Sequence, residues 1–188
     1  SACLVGSEMC IRDRLYGGGH HRTPYTWDKE RVSSYIRYVD TDNQSHWLFD
    51  SFLFLEIMDT GTGGANKMFA KGYNLESANQ ADWTKLIDYY FQSETGIGAL
   101  DASVKEASAI LGTPRQKRQI VISIPEPIVY QHPEQASSST KYWGKIDNQT
   151  LDFSNSADRI KACKWYIDQV RAKFNEKNYQ HVELAGFY

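Results

Sequence analysis

The sequence predicts an α/β fold of about four parallel strands, either half of a (β/α)8 barrel or part of an open doubly wound sheet. Three observations predict it. Short, nearly continuous apolar runs alternate with amphipathic helical stretches in the order β-α-β-αα-β-α-β. Runs of that kind suit strands buried on both faces, and their alternation with helices implies parallel strands joined by right-handed crossovers. The connections that leave strands are long, Ile57 to Ala78 and Ile128 to Ser156, whereas two that leave helices are short, Gly112 to Arg118 and Lys177 to Gln180. The composition is that of a globular chain: 188 residues, 41% hydrophobic and 23% charged, enough for one sizeable core.

The elements follow in order. Leu15-Tyr16 ends a first strand and runs into the Gly-rich segment Gly17-Gly18-Gly19-His20-His21-Arg22. Thr26 or Asp28 caps a helix in which Val32, Tyr35, Ile36 and Val39 recur at i, i+3, i+4, i+7. A turn cluster over 40–44 precedes the second strand, Trp47 to Glu56. A loop with four glycines, from Gly61 to Gly72, comes next. Asn79 opens a helix with Trp83, Leu86, Ile87, Tyr90 and Phe91 on one face, and a second helix runs near Leu100 to Leu111. Gln119 to Pro127 is the third strand. A polar segment reaches to about Asn155. The last helix, Ala157 to about Glu176, carries the stripe Ile160, Cys163, Ile167, Val170 and Phe174, and His181 to Tyr188 is the last strand. On that stripe Cys163 reads as a packing residue rather than a nucleophile.

Residues 3–14 resemble no structural motif. Back-translated codon by codon, they resemble a reading frame of a sequencing-library adaptor. The expected organisation is therefore a non-native segment, 1–14, followed by a partial domain, 15–188, truncated at both ends. On that reading Cys163 is the one native cysteine, and one cysteine does not report a redox compartment.

Several function classes are excluded or disfavoured. A net charge of −2 gives no nucleic-acid footprint. No apolar run approaches the ~20 residues of a membrane span. The first glycine cluster lacks the G-x-G-x-x-G spacing and no Walker pattern occurs, so no nucleotide cofactor is expected. No H-E-x-x-H is present, and adjacent His20 and His21 send their side chains apart, so no metal site is expected.

Five blocks carry a resemblance: 15–18 (LYGG), 47–56 (WLFDSFLFLE), 124–128 (IPEPI), 158–168 (DRIKACKWYID) and 184–188 (LAGFY). In this order they resemble the domain of unknown function 4855 family across nearly all of residues 15–188. The resemblance implies the first half of a TIM barrel distantly similar to glycoside hydrolases, from proteins secreted by polysaccharide-using bacteria. It implies no established activity and transfers no catalytic residue.

The residues themselves permit two-carboxylate chemistry. Glu56 and Glu126 each follow an apolar run directly. By alternation Asp50, Phe52, Phe54 and Glu56 share one strand face, and Ile120, Ile122, Ile124 and Glu126 another. If those faces point into a barrel, both carboxylates rise at its mouth, at a separation of roughly 5–10 Å that suits either a retaining or an inverting glycosidase. Pro125 and Pro127 fix the backbone around Glu126. Asp50 lies mid-strand and needs a buried partner, which reads as structural. His20, His21 and Arg22 are candidate contacts for sugar hydroxyls or an anionic sugar, and equally plain loop residues. Tyr142 and Trp143 either stack on a sugar ring or anchor their loop to the core.

Three readings follow. The leading one is a fragment of a secreted glycoside-hydrolase-like barrel acting on a poly- or oligosaccharide, extracellular, periplasmic or at the cell surface, with Glu56 and Glu126 as acid/base or nucleophile. The second is a non-catalytic carbohydrate-binding or surface-structural barrel domain. The third is an open α/β nucleotide-binding domain. A half barrel also leaves sheet edges through which the fragment is expected to self-associate.

Overall fold

The computed structural model describes residues 12–16, 26–59 and 66–188. Four parallel strands form the main sheet: β1 (Arg12–Tyr16), β2 (Ser51–Leu55), β3 (Arg118–Ile122) and β4 (Val182–Phe187). They lie side by side in chain order. Among these four strands the order never reverses, so there is no switch-point crevice of the kind that doubly wound nucleotide folds use. The mixed α/β class holds, and sequential parallel order is what consecutive strands of an α/β barrel wall display.

One register row runs Leu15, Phe54, Ile122, Phe187, and another places Phe52 beside Ile120 and Ile120 beside Leu184. Leu15, Phe52, Phe54, Ile120 and Ile122 pack with helix residues in a single core cluster. Leu53 and Val121, also buried, project from the opposite face.

Four helices connect the strands: α1 (Lys29–Ile36), α2 (Gln80–Tyr90), α3 (Gly96–Leu111) and α4 (Ser156–Lys177). Asp28 caps α1 by accepting the Arg31 amide. α1 stops at Ile36, short of the expected Val39. Residues 37–39 instead pair antiparallel with 45–47, and Val39 is 54% exposed. The Asp40 carboxylate closes this ribbon by accepting the Asp42 and Gln44 amides and pairing with His46. The expected strand Trp47 to Glu56 is thereby split, its first residue belonging to the ribbon.

Asn79 opens α2 with a reciprocal capping box to Asp82, and Trp83, Leu86, Ile87, Tyr90 and Phe91 are all buried. α3 begins at Gly96, four residues before the expected start. In α4 the buried stripe is Ala162, Tyr166, Val170 and Phe174; Ile160 is 55% exposed, while Cys163 and Ile167 are half-buried. The helix is rotated by its partners: Tyr166 meets Trp83 edge-on at 5.7 Å and Phe174 meets Phe91 at 5.3 Å. Aromatic surface of that size outweighs two aliphatic side chains.

The two long strand-to-helix connections are not plain loops. The first carries a three-stranded miniature sheet, 58–59, 67–68 and 76–77. The second carries a two-residue ribbon, 145–146 with 149–150. Met58, Met68 and Ile128 form a separate small core that joins the two connections, with Tyr73 and Leu75 against it.

Candidate functional site

Both candidate carboxylates lie just past the carboxyl ends of β2 and β3, but in different settings. The alternation argument put Glu56 and Glu126 at a barrel mouth on the condition that their strand faces point inward. The structure turns those faces towards the helices, because Phe52, Phe54, Ile120 and Ile122 supply the helix-packed core. Glu56 is accordingly 6% exposed. Its Oε1 accepts the Ile57 amide at 3.3 Å. The fully buried Tyr90 lies nearby, its phenol pushed well above the usual range by burial first and then by the charges of Tyr166 and Glu56.

Glu126 is exposed. Strand β3 ends at Ile122 and Pro125 interrupts any further pairing, so alternation does not extend to it. Its position is fixed from the first connection instead. The Glu126 amide donates to Phe69 O at 2.7 Å, and Glu126 Oε2 accepts the Lys71 amide at 2.6 Å. The bend 69–73 thus grips the backbone and the side chain of one residue at once. Gly72 in that bend has φ +128°, a conformation that side chains rarely adopt.

Around this grip the two connections are stitched together. The Ser77 amide donates to Gln131 O at 2.8 Å and the Ser77 hydroxyl to Tyr130 O at 2.8 Å. Glu76 pairs with Lys67 at 2.7 Å and accepts from Gln131 Nε2 at 3.0 Å. The hydrogen bond from Lys67, then that from Gln131, hold its carboxyl below the usual range, with a smaller contribution from His132. Sequence reasoning missed Lys67, Glu76, Ser77 and Gln131; two-residue strands leave no periodic signal.

The two aromatic candidates are loop anchors in this geometry. Trp143 is 1% exposed and packs edge-on against Trp83 at 5.2 Å and Trp165 at 5.5 Å. A ring enclosed in this way offers no face to a sugar, which corrects the stacking reading in favour of its alternative. Tyr142 is partly buried, meets Phe153 edge-on, and donates its hydroxyl to Ile128 O at 2.6 Å. Burial raises its phenol above the usual range. Beside them, the Gln80 side-chain amide pairs with both backbone groups of Lys145 at 3.0 Å. His20, His21 and Arg22 lie outside the described residues.

The chemistry available is therefore that of one exposed, geometrically fixed carboxylate past the end of β3, able to accept hydrogen bonds or exchange a proton, and a buried one past the end of β2. Among the described residues, no group of three or more His, Cys, Asp or Glu is arranged to hold a metal ion, and no helix is long and apolar enough to cross a membrane.

No curated protein and no solved structure matches the chain. Residues 14–188 match the family described as Domain of unknown function (DUF4855), and the chain belongs to that family.

Proposed function

We propose that this chain is part of a glycoside-hydrolase-like barrel that acts on a poly- or oligosaccharide outside the cytoplasm, with Glu126 and Glu56 as its candidate carboxylates. One observation carries the reading: four parallel strands in chain order, with the elaborated connections and both carboxylates at the carboxyl ends of β2 and β3. That end of a parallel α/β barrel is where catalytic residues gather. Glu126 is the stronger of the two, since a fixed and exposed carboxylate meets the geometric demand of acid/base work.

A second reading is a non-catalytic carbohydrate-binding domain. The burial of Glu56 favours it, because a two-carboxylate hydrolase needs both groups to reach the glycosidic bond. One experiment separates the two. The purified protein that carries this chain within its whole barrel is incubated with a panel of soluble polysaccharides, following reducing-end release and, in parallel, retardation in affinity gels. Release that is lost in Glu126→Gln supports the hydrolase. Retardation without release supports the binding domain. Neither effect on any glycan overturns both.

A further inference from the structure

We infer that Glu76 is a positioning residue for Glu126: by bridging Lys67 and Gln131, it fixes the bend that orients the Glu126 carboxylate. The inference rests on Glu126 being a site residue, but its test needs no activity.

The geometry has three parts. The first is the grip itself, in which the Phe69 carbonyl and the Lys71 amide hold the backbone and the side chain of Glu126. Both come from the first connection, 55 residues before Glu126 in the case of Lys71. A grip between segments so far apart in sequence orients the carboxylate only if the segments keep a fixed relation to each other.

The second part is the bridge. Lys67 lies two residues before Phe69 in the same arm, and Gln131 lies five residues after Glu126 in the other. Glu76 touches both, at 2.7 Å and 3.0 Å. It is paired through backbone register with Lys67 across the miniature sheet, so its carboxylate reaches Lys67 from the adjacent strand. Lys67 has a side chain only 15% exposed, so this pair is shielded from solvent more than an ordinary surface pair.

The third part is the support beneath. Met58, Met68 and Ile128 pack under both arms. Three apolar side chains hold the arms together without setting their relative orientation, because apolar packing is not directional. Besides the grip itself, directional contacts between the arms come from Ser77 and Glu76; Ser77 spends its hydroxyl on Tyr130 O and meets the strand that leads into the bend through backbone register, whereas the Glu76 carboxylate joins Lys67 of that strand to Gln131 directly.

The test uses amide hydrogen exchange of the full chain, read residue by residue by NMR, in wild type, Glu76→Ala, Glu76→Gln and Glu126→Ala. The Lys71 and Glu126 amides report the grip; the Ile120 and Ile122 amides report the main sheet. In Glu126→Ala the Lys71 amide exchanges at least fivefold faster, because its acceptor is gone. In Glu76→Ala both reporters exchange at least fivefold faster while Ile120 and Ile122 keep their wild-type rates. Glu76→Gln retains an acceptor for Gln131 and returns at least half of the lost protection. Unchanged reporters in Glu76→Ala overturn the inference, as does equal acceleration of Ile120 and Ile122, which marks general destabilisation. A Lys71 amide indifferent to Glu126→Ala also overturns it. Glycan assays that fail while the exchange pattern holds remove the carbohydrate reading alone.

Discussion

The Asp50 carboxylate stands 3.0 Å from the Arg118 guanidinium at the amino-terminal end of the β2–β3 seam, with both side chains nearly sealed from solvent. Arg118 is 2% exposed and its guanidinium also lies 4.5 Å from the centre of the Trp47 ring. The adjacent backbone is paired, since the Gln119 amide donates to Asp50 O at 2.8 Å. Asp50 sits just before β2, and Arg118 opens β3. The two charges of this pair are thus consumed internally, whereas Glu126 at the other end of the sheet is exposed.

The pair makes a stability prediction. Arg118→Met leaves the Asp50 carboxylate buried without its cation and lowers stability by about 3–5 kcal/mol. Arg118→Lys does not fully restore it, because an ammonium lacks the guanidinium's fork of donors and its broad, weakly hydrated surface over the Trp47 ring. Asp50→Asn is milder than Arg118→Met. Urea unfolding followed by tryptophan fluorescence checks the ranking; an Arg118→Met variant as stable as wild type contradicts it.

Gly144 makes a packing prediction. A Cβ built there would lie 2.3 Å from Gln80 Oε1 and 2.7 Å from Gln80 Cβ. Gly144→Ala therefore displaces Gln80 and breaks its paired bonds to Lys145. The expected loss is roughly 1–3 kcal/mol, the cost of strain plus stranded hydrogen-bonding groups. Gln80→Ala in the Gly144→Ala background adds little further loss, since both act on one clamp. A double-mutant cycle by thermal melts measures this, and simple additivity would refute it.

Asp152 makes a pH prediction. Hydrogen bonds from the Ser154 side chain first, then Thr140 and the Ser154 backbone, lower its carboxyl to about 2. A depressed carboxyl contributes stability that is fully present above its unfolded value, near 4, and is lost as pH falls through the folded value. The melting temperature should accordingly fall between about pH 4 and pH 2. Asp152→Asn should flatten that part of the curve and lower the neutral-pH plateau, because the contribution of the ionised carboxylate is then missing at every pH. An unchanged acid limb in the variant would show that other carboxylates carry it. Glu76 contributes in the same direction.

How far the sequence alone reaches is visible element by element. α2 was fully legible, because Asn79 supplies a local cap and its apolar residues keep strict helical period. The parallel orientation of the strands followed from alternation of strand and helix, whereas their sequential order did not, since alternation alone suits a half barrel and a doubly wound sheet equally. The α4 stripe was misread because periodicity weighs Ile160 and Ile167 as equal to Tyr166, while the partner surfaces of Trp83 and Phe91 decide which face turns inward. Asp50 announced its need for a partner, but not that Arg118 would meet it. Trp143 stands among polar neighbours in sequence and is nonetheless enclosed by α2, α4 and Phe153. The grip on Glu126 depends on Phe69 and Lys71, more than fifty residues away, and no local pattern encodes a contact of that kind.

The last prediction concerns the two carboxylates together. Glu126 is exposed, and a glutamine there keeps an oxygen able to accept the Lys71 amide. Glu126→Gln should change stability by no more than about 0.5 kcal/mol, as surface substitutions usually do. If the domain hydrolyses glycosides, the same change should lower kcat by at least ~10²-fold, the usual worth of a general acid or base. Glu56 behaves otherwise. It is buried and accepts the part-buried Ile57 amide, so Glu56→Ala removes that acceptor along with a buried side chain and should cost about 1–3 kcal/mol. Glu56→Gln, which retains an acceptor, should recover part of that stability. The discriminating result is the comparison of Glu56→Gln with Glu126→Gln on an active glycoside. Equal losses of kcat with intact melting curves would place both groups at the reacting centre despite the burial of Glu56. Loss of activity in Glu126→Gln alone would keep the hydrolase reading for Glu126, make Glu56 a structural support, and require the second carboxylate of a two-carboxylate mechanism to come from another residue.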